Sequence, residues 1–162
     1  MDKKSTKYAW QFAGKMEGFT DQELKERIQK GMDGKLEHEI RPIPYLGDVK
    51  QVITHDYDEL EALCPVTGIH DVYRIRIGYV PQEFIPELKS LKFYFWNFRT
   101  WPISHEHLAA RIYHDFIEAI KPSWLNLYLD VAPRGEIFST VTIEKSTTFT
   151  INNFRPYDKA SR

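Results

Sequence analysis

Cysteine is almost absent from this sequence, since Cys64 is the only one in 162 residues. A single thiol excludes a disulfide within the chain and any metal site that needs several thiolates. An excess of one charge is also lacking, because 22 Lys and Arg balance 23 Asp and Glu to a formal net charge of −1. Proteins that bind phosphate backbones are normally basic, so we expect no direct nucleic-acid partner.

Long apolar runs and glycine-rich phosphate loops are missing as well. No stretch is long enough to cross a bilayer, and the polar N-terminus, residues 1–6, leads to no apolar signal core. We therefore expect a cytoplasmic protein with no membrane partner. Without a Rossmann-type loop, a nucleotide cofactor has to be bound by side chains and subunit borders.

What the chain does contain is apolar and aromatic side chains, at 42% and 14% of its residues. At this length they are enough for one well-filled core but not for two full domains. We divide the chain into an N-terminal extension at 1–45, a main domain at 46–152 and a C-terminal tail at 153–162.

The extension contains one predicted helix. Thr20 and Glu23 have the spacing of a capping box for a helix over 21–30, and Gly31 is its predicted stop. We interpret the region as a surface tail or an oligomer-packing arm.

Alternation of apolar and charged residues predicts a strand at 72–80, with Tyr73 and Ile75 on one face and Arg74 and Arg76 on the other. The same patterns predict further strands at 48–55, 125–131 and 137–150, and helices at 86–96 and 105–121. In the first helix, Leu88, Leu91 and Phe95 share a face at helical spacing, although the aromatic density at 93–98 leaves a strand open.

The order strand, strand, helix, helix, strand, strand predicts an α+β fold. In it, two helices cover one face of a four-stranded, mostly antiparallel sheet. Such a sheet has two free edges, and pairing them between copies would close a barrel. This favours a cyclic homo-oligomer.

The turn from Cys64 to Asp71 carries the candidate chemistry. A lone cysteine is most often a small buried hydrophobic residue. A thiol beside a Pro and Gly turn, with a carboxylic acid seven residues on, also suits attack on an electrophile with proton transfer from the acid. Cys64 is the candidate nucleophile and Asp71 the candidate proton donor, with a turn-capping role as the alternative for Asp71.

Three stretches together resemble one family. They are Leu63-Cys64-Pro65-Val66-Thr67-Gly68 with Asp71, Glu87-Leu88-Lys89-Ser90-Leu91-Lys92-Phe93-Tyr94, and Ser104-His105-Glu106 with Pro133-Arg134-Gly135 downstream. This combination resembles the NADPH-dependent 7-cyano-7-deazaguanine reductases, the nitrile reductases of queuosine biosynthesis, in their short single-module form.

The resemblance implies the tunnelling fold, in which copies of a sheet with two helices close a barrel with active sites between subunits, as pentamers or stacked decamers. It implies that the Cys64 thiolate adds to the nitrile carbon of 7-cyano-7-deazaguanine and forms a covalent thioimide. Two NADPH, each a dissociable co-substrate, then supply the hydrides that produce a primary amine.

The resemblance also assigns binding residues, and it implies no metal ligand. Glu106 and His105 become the substrate anchor, although a carboxylate in a first helical turn is also favoured by the helix dipole. The NADPH segment comprises Glu87, Leu88, Lys89, Ser90 and Lys92, although two lysines three residues apart also suit a solvated helix face. Arg134 is either a charge at the site or an ordinary turn arginine.

Three other functions stay open. One is a relative that uses the same nitrile base to form an amidine on tRNA. Another is a pterin or purine-ring hydrolase of the same fold, for which Cys64 and His70 would begin a zinc site. The last is a non-catalytic oligomeric binding protein in which Cys64 is buried.

Overall fold

The computed structural model describes residues 20–144, and the predicted tail at 153–162 lies outside them. The helices are α1 (Asp21–Asp33), α2 (Leu88–Trp96) and α3 (His105–Ile120), with a 3₁₀ turn at Asn97–Thr100. The strands are β1 (Pro42–Pro44), β2 (Ile53–Leu63), β3 (His70–Val80), β4 (Phe84–Pro86), β5 (Trp124–Arg134) and β6 (Ile137–Glu144). The α+β class is confirmed, and none of the helices in this part of the chain has the length and apolarity to span a membrane.

The main sheet has the strand order β2-β3-β5-β6 with every neighbouring pair antiparallel, as predicted. A second small sheet pairs β1 with β4. On the inner face of β3, Tyr73, Ile75, Ile77 and Tyr79 are buried. On the outer face, Arg74 and Arg76 form ion pairs with Asp58 and Asp56 of β2.

The prediction for β2 is wrong in its position. A strand was expected at 48–55, with acidic residues leading from it to Cys64, but β2 continues to Leu63. A bulge between Tyr57 and Leu60 shifts the register against β3. An extra residue reverses which side chains face inward, so the alternation changes parity within the strand and the sequence pattern looks poor.

Helices α2 and α3 supply the layer that covers the sheet. In α3, Leu108, Ile112, Phe116 and Ile120 are fully buried, as their four-residue spacing predicts. Residues 88–96 form a helix rather than a strand. Leu88 is 62% exposed, so its predicted place on the buried face is wrong and the apolar stripe of α2 begins at Leu91.

The helix predicted in the N-terminal extension is present as α1, and it packs on α3. The capping box is present, because the Glu23 amide donates to Thr20 Oγ1 and the Thr20 amide donates to Glu23 Oε2. Gly31 does not stop the helix, which continues to Asp33. Gly31 is buried against Pro102 and Ile103, so its lack of a side chain serves close packing.

The last turn of α1 is tied to the rest of the fold by side chains. Trp101 Nε1 donates to the Gly31 carbonyl, and Arg111 Nη1 donates to the carbonyls of Met32 and Gly34. Carbonyls at a helix end lack partners within the helix, so these donors complete the end of α1.

The chain that follows α1 enters the core through Leu36 and Ile40, which are 5% and 7% exposed. Residues 20–44 therefore do not form the surface tail that was expected. The boundary at residue 45 stays a prediction.

Replacing Gly31 with Ala should destabilise the protein by about 1–2 kcal/mol. Ala gains about 1 kcal/mol over Gly in a helix, but the new methyl would lie 2.6 Å from the Pro102 carbonyl oxygen. Because that oxygen belongs to the backbone and cannot move aside cheaply, we expect an overpacking cost of about 2–3 kcal/mol. Urea denaturation followed by circular dichroism measures the difference. The control is Lys25→Ala on the exposed side of α1, and a Gly31→Ala protein as stable as the parent would contradict this packing.

Candidate active site

The turn after β2 holds Cys64 in a half-buried position. The Cys64 amide donates to the Ile69 carbonyl at 2.9 Å, and the Gly68 amide donates to the Cys64 carbonyl at 2.8 Å. Gly68 has φ +70°, a left-handed conformation that glycine adopts without strain. The Thr67 amide lies 3.5 Å from Cys64 Sγ, so the turn points a hydrogen-bond donor at the sulfur.

Asp71 begins the buried part of β3 and forms an ion pair across the sheet. It is 4% exposed, and its Oδ1 lies 2.5 Å from Arg134 Nη2. Burial raises the pKa of Asp71, while Arg134, His105 and Tyr73 oppose that rise in decreasing order. The net shift is upward, so Asp71 keeps its proton to a higher pH than an exposed aspartate does.

A second bulge places Arg134 beside Asp71. The register between β5 and β6 shifts between Val131 and Arg134, and the Arg134 guanidinium also donates to the His70 carbonyl at 3.3 Å. Of the two roles that the sequence left open for Arg134, the structure favours a charge at the site.

Tyr73 is a site residue that the sequence did not reveal. It lies two residues after Asp71, so both side chains leave the same face of β3. It is 1% exposed, and its hydroxyl forms no well-aligned hydrogen bond within residues 20–144, although it lies close enough to the Asp71 carboxyl to favour the ionised form of that acid. Burial and the charges of Asp71 and Cys64 raise the pKa of Tyr73, whereas Arg134 opposes them. Its hydroxyl therefore faces both of the predicted reacting groups.

Backbone hydrogen bonds bring the start of α3 to the Cys64 turn. The Leu63 amide donates to the Trp101 carbonyl at 2.9 Å, and the Ile103 amide donates to the Leu63 carbonyl at 3.0 Å. The two residues of the predicted substrate anchor follow directly. His105 Nε2 lies 3.2 Å from Glu106 Oε1, and Glu106 is 63% exposed.

Ser104 occupies the N-cap position of α3 but makes no capping hydrogen bond. Its Oγ lies 2.6 Å from His107 Nδ1 instead. The amides of the first turn of α3 are thus not engaged by the Ser104 side chain, and Glu106 stands at the positive end of the helix dipole.

The predicted cofactor segment divides into two parts. Glu87 is the N-cap of α2 and accepts from the amides of Lys89 and Ser90, which lower the pKa of Glu87. Ser90 Oγ donates to the Glu87 carbonyl and accepts from the Arg41 amide. These two side chains hold the helix in place, whereas Leu88, Lys89 and Lys92 are exposed.

A cationic surface continues from α2 into the 3₁₀ turn. Lys92 Nζ lies 5.3 Å from the centre of the Trp96 ring, and the Arg99 guanidinium lies 5.4 Å from it. Arg99 also lies 3.9 Å from Glu61. The sequence analysis did not identify Arg99. Its position seven residues after Lys92, about two helical turns, is the signal that could have placed both cations on one side.

A groove of about 400 Å³ lies elsewhere, and none of the predicted site residues lines it. Its polar side chains bond to one another, since Tyr94 and Arg111 both donate to Asp115. Within residues 20–144, no three His, Cys, Asp or Glu residues are grouped as a metal site would require.

Comparisons with known proteins identify relatives of this chain. The model of the family described as QueF-like protein matches residues 71–149. The NADPH-dependent 7-cyano-7-deazaguanine reductase of Anaeromyxobacter sp. (strain Fw109-5) is 44% identical over 90 residues, which are 56% of this chain and 74% of that protein. The chain belongs to this reductase family.

A second member of the reductase family, from Prochlorococcus marinus, is 40% identical over 91 residues, which cover 56% of this chain and 67% of that protein. Among solved structures, the apo archaeosine synthase QueF-Like has a TM-score of 0.54 at 18% identity. The structural match covers 57% of this chain and 91% of the chain of that synthase. This last likeness concerns the fold alone.

The match to the family model covers most of the site of this reductase-family chain. It begins at Asp71 and includes the α2 segment, His105, Glu106 and Arg134, whereas Cys64 precedes it. The role of Cys64 therefore stays a prediction that the geometry of the turn has to support.

Replacing Arg134 with Met should leave the Asp71 carboxylate buried without its partner. We expect a loss of about 1–3 kcal/mol at pH 7, less than for a fully buried pair because Arg134 is partly exposed. The change raises the pKa of Asp71 further above its unfolded value. The loss should therefore be small at low pH, where Asp71 is protonated in the folded state of both proteins, and should grow as the pH rises through the folded-state pKa of Asp71.

The measurement is urea denaturation at several pH values in two backgrounds. In an Asp71→Asn background the same Arg134→Met change should cost little, because no buried charge is left unpaired. Equal losses in both backgrounds, or a loss that does not vary with pH, would contradict the ion pair.

Proposed function

We propose that this chain reduces the nitrile of 7-cyano-7-deazaguanine to the aminomethyl group, as its relatives' names describe for them. The observation that carries the proposal is the backbone hydrogen bonding that joins the Cys64 turn to Ile69, just before Asp71, and to residues 101–103, just before His105. A thiol, a buried acid and a substrate anchor then lie at one end of the sheet.

In the first step, the Cys64 thiolate adds to the nitrile carbon. A carbon–sulfur bond forms, one π bond of the nitrile breaks, and its electron pair moves to nitrogen. Asp71 gives its proton to that nitrogen and becomes a carboxylate. The product of this step is a thioimide that links the base to Cys64.

The raised pKa of Asp71 fits this role, because the acid has to be protonated when the sulfur attacks. Arg134 opposes the rise but stabilises the carboxylate that proton transfer leaves behind. The two effects keep Asp71 able to give a proton and able to hold the resulting charge.

His105 and Glu106 are the proposed anchor for the purine-like ring. A carboxylate accepts from a ring N–H and an exocyclic amino group together, which a neutral donor cannot do. The exposure of Glu106 in a single chain leaves its oxygens available to a ligand.

The proposed NADPH surface consists of Leu88, Lys89 and Lys92, with Arg99 added, while Glu87 and Ser90 hold α2 in place. Exposed cations beside the Trp96 ring suit phosphates and an aromatic base, so the residues present fit the group. When bound, NADPH supplies a hydride to the thioimide carbon and, from a second molecule, a hydride to the imine carbon after the sulfur has left. The chain's own residues bind and orient the nucleotide against the Cys64 adduct.

We further propose that copies of the chain assemble in the tunnelling fold, as pentamers or stacked decamers, and act in the cytoplasm in queuosine biosynthesis. The edges of the main sheet, β2 and β6, support this assembly. Ile137 and Phe138 on β6 are 65% and 72% exposed and suit burial by a neighbouring copy.

Replacing Cys64 with Ala should abolish both turnover and the covalent adduct. Because Cys64 is the only cysteine, intact mass spectrometry of the parent protein with the nitrile base and no NADPH reports a single adduct site. Absorbance at the nicotinamide band should then show two NADPH oxidised for each nitrile consumed.

The matched control is Ser104→Ala, which removes a small polar group near the site without removing a nucleophile. A Cys64→Ala protein that still reduces the nitrile would overturn the mechanism. An adduct without any NADPH oxidation would favour the alternative in which the nitrile base is used to form an amidine.

Replacing Glu106 with Gln should raise the Kd of the nitrile base at least tenfold, because a charge-assisted pair of hydrogen bonds is lost. Adduct formation at saturating base should change much less. Calorimetry with the Cys64→Ala protein measures binding without chemistry. His107→Gln on the same helix turn is the control, and unchanged binding by the Glu106→Gln protein would remove Glu106 from the anchor.

A further inference from the structure

A buried tyrosine hydroxyl that forms no well-aligned hydrogen bond is the least explained polar group near the site. An unsatisfied buried donor costs a folded protein free energy, so such groups are rare. Tyr73 is fully buried, and its hydroxyl makes no well-aligned hydrogen bond within the described residues, although it lies close enough to Asp71 to favour the carboxylate. Tyr79 lies six residues along the same face of β3, is equally buried, and has its hydroxyl 3.3 Å from His55 Nε2.

The groups around the Tyr73 hydroxyl are those of the proposed reaction. Asp71 leaves β3 on the same face, and Cys64 and Arg134 both act on Tyr73 electrostatically. Asp71 in turn is faced by Arg134 from β5, by His105 from α3 and by Tyr73 from its own strand. Arg134 engages Oδ1 of Asp71, so Oδ2 is the oxygen that can receive a second donor.

We propose that Tyr73 is a positioning residue, whose hydroxyl donates a hydrogen bond to Asp71 as the Cys64 adduct forms and holds the carboxyl toward the nitrogen. This rests on the proposed function. The proton that reaches the nitrogen is that of Asp71, and Tyr73 keeps its own. Its hydrogen bond stabilises the carboxylate that the transfer leaves, so a contact that is loose in the free protein tightens in the reacting state.

The test compares Tyr73→Phe with Tyr79→Phe, two identical changes on one face of one strand. The rate of adduct formation is followed against pH by rapid mixing and mass spectrometry. We expect Tyr73→Phe to slow adduct formation about tenfold at the pH optimum. We also expect it to move the alkaline limb of the pH–rate profile, where adduct formation slows as Asp71 loses its proton, to higher pH. The reason is that Asp71 loses a donor that favours its ionised form.

A stability measurement separates positioning from a structural role. Tyr73→Phe removes an unsatisfied hydroxyl, so its denaturation midpoint should be unchanged or raised. Tyr79→Phe removes a partnered hydroxyl, so its midpoint should fall while the pH profile of adduct formation stays in place. A destabilised Tyr73→Phe protein with an unshifted alkaline limb would overturn the proposal.

The two proposals can fail separately. If the parent protein forms an adduct and Tyr73→Phe shifts neither rate nor limb, the nitrile reductase stands and the role of Tyr73 falls. If the parent forms no adduct, carboxyl NMR titration of Asp71 still decides the Tyr73 contact. The pKa of Asp71 should rise in Tyr73→Phe and not in Tyr79→Phe, and an unchanged value would overturn the proposal.

Discussion

The site depends on how residues 101–103 are held between two parts of the fold. On one side, Leu63 exchanges backbone hydrogen bonds with Trp101 and Ile103. On the other side, Gly31 lies so close to Pro102 that a methyl group would not fit. This short segment leads directly into α3. The contacts that fix it therefore also determine where His105 and Glu106 lie relative to Cys64. The packing of α1, which is remote in sequence from the chemistry, thereby contributes to the geometry of the site.

The electrostatics of the site centre on one buried carboxyl. Burial favours the neutral form of Asp71, and Arg134 favours the charged form. Either influence alone would spoil a proton donor, because an isolated buried acid would not release its proton and an exposed paired acid would not keep it. Since the opposing groups come from β5 and α3, the whole fold sets this balance.

Local patterns in the sequence predicted those elements whose contacts repeat regularly. The alternation in β3 and the four-residue spacing in α3 each report one face packed on one core. The bulge in β2 changes the parity of that strand, so its pattern was misread, and the bulge after Val131 concealed the approach of Arg134 to Asp71. The sequence pattern predicts Tyr73 as an ordinary member of an apolar face, because only a tertiary structure shows that its hydroxyl lies near Asp71 and Cys64. The role of residues 20–44 depends on contacts some 70 residues apart, which no local pattern carries.

The side chains of the α2 segment fall into two groups, those that hold the helix in place and those that project outward. This difference matters for how a cofactor surface could be completed. Glu87 and Ser90 are occupied by the backbone of α2 and by Arg41, so they orient the helix. Lys89 and Lys92 project outward, and Glu106 is likewise exposed. A single chain therefore presents the proposed binding groups on open surfaces, whereas hydride transfer requires a site from which water is excluded. Burial of these surfaces by a neighbouring copy along the β2 or β6 edge would supply that exclusion. The same contact would cover Ile137 and Phe138, so the exposed apolar residues and the open site argue for one assembly.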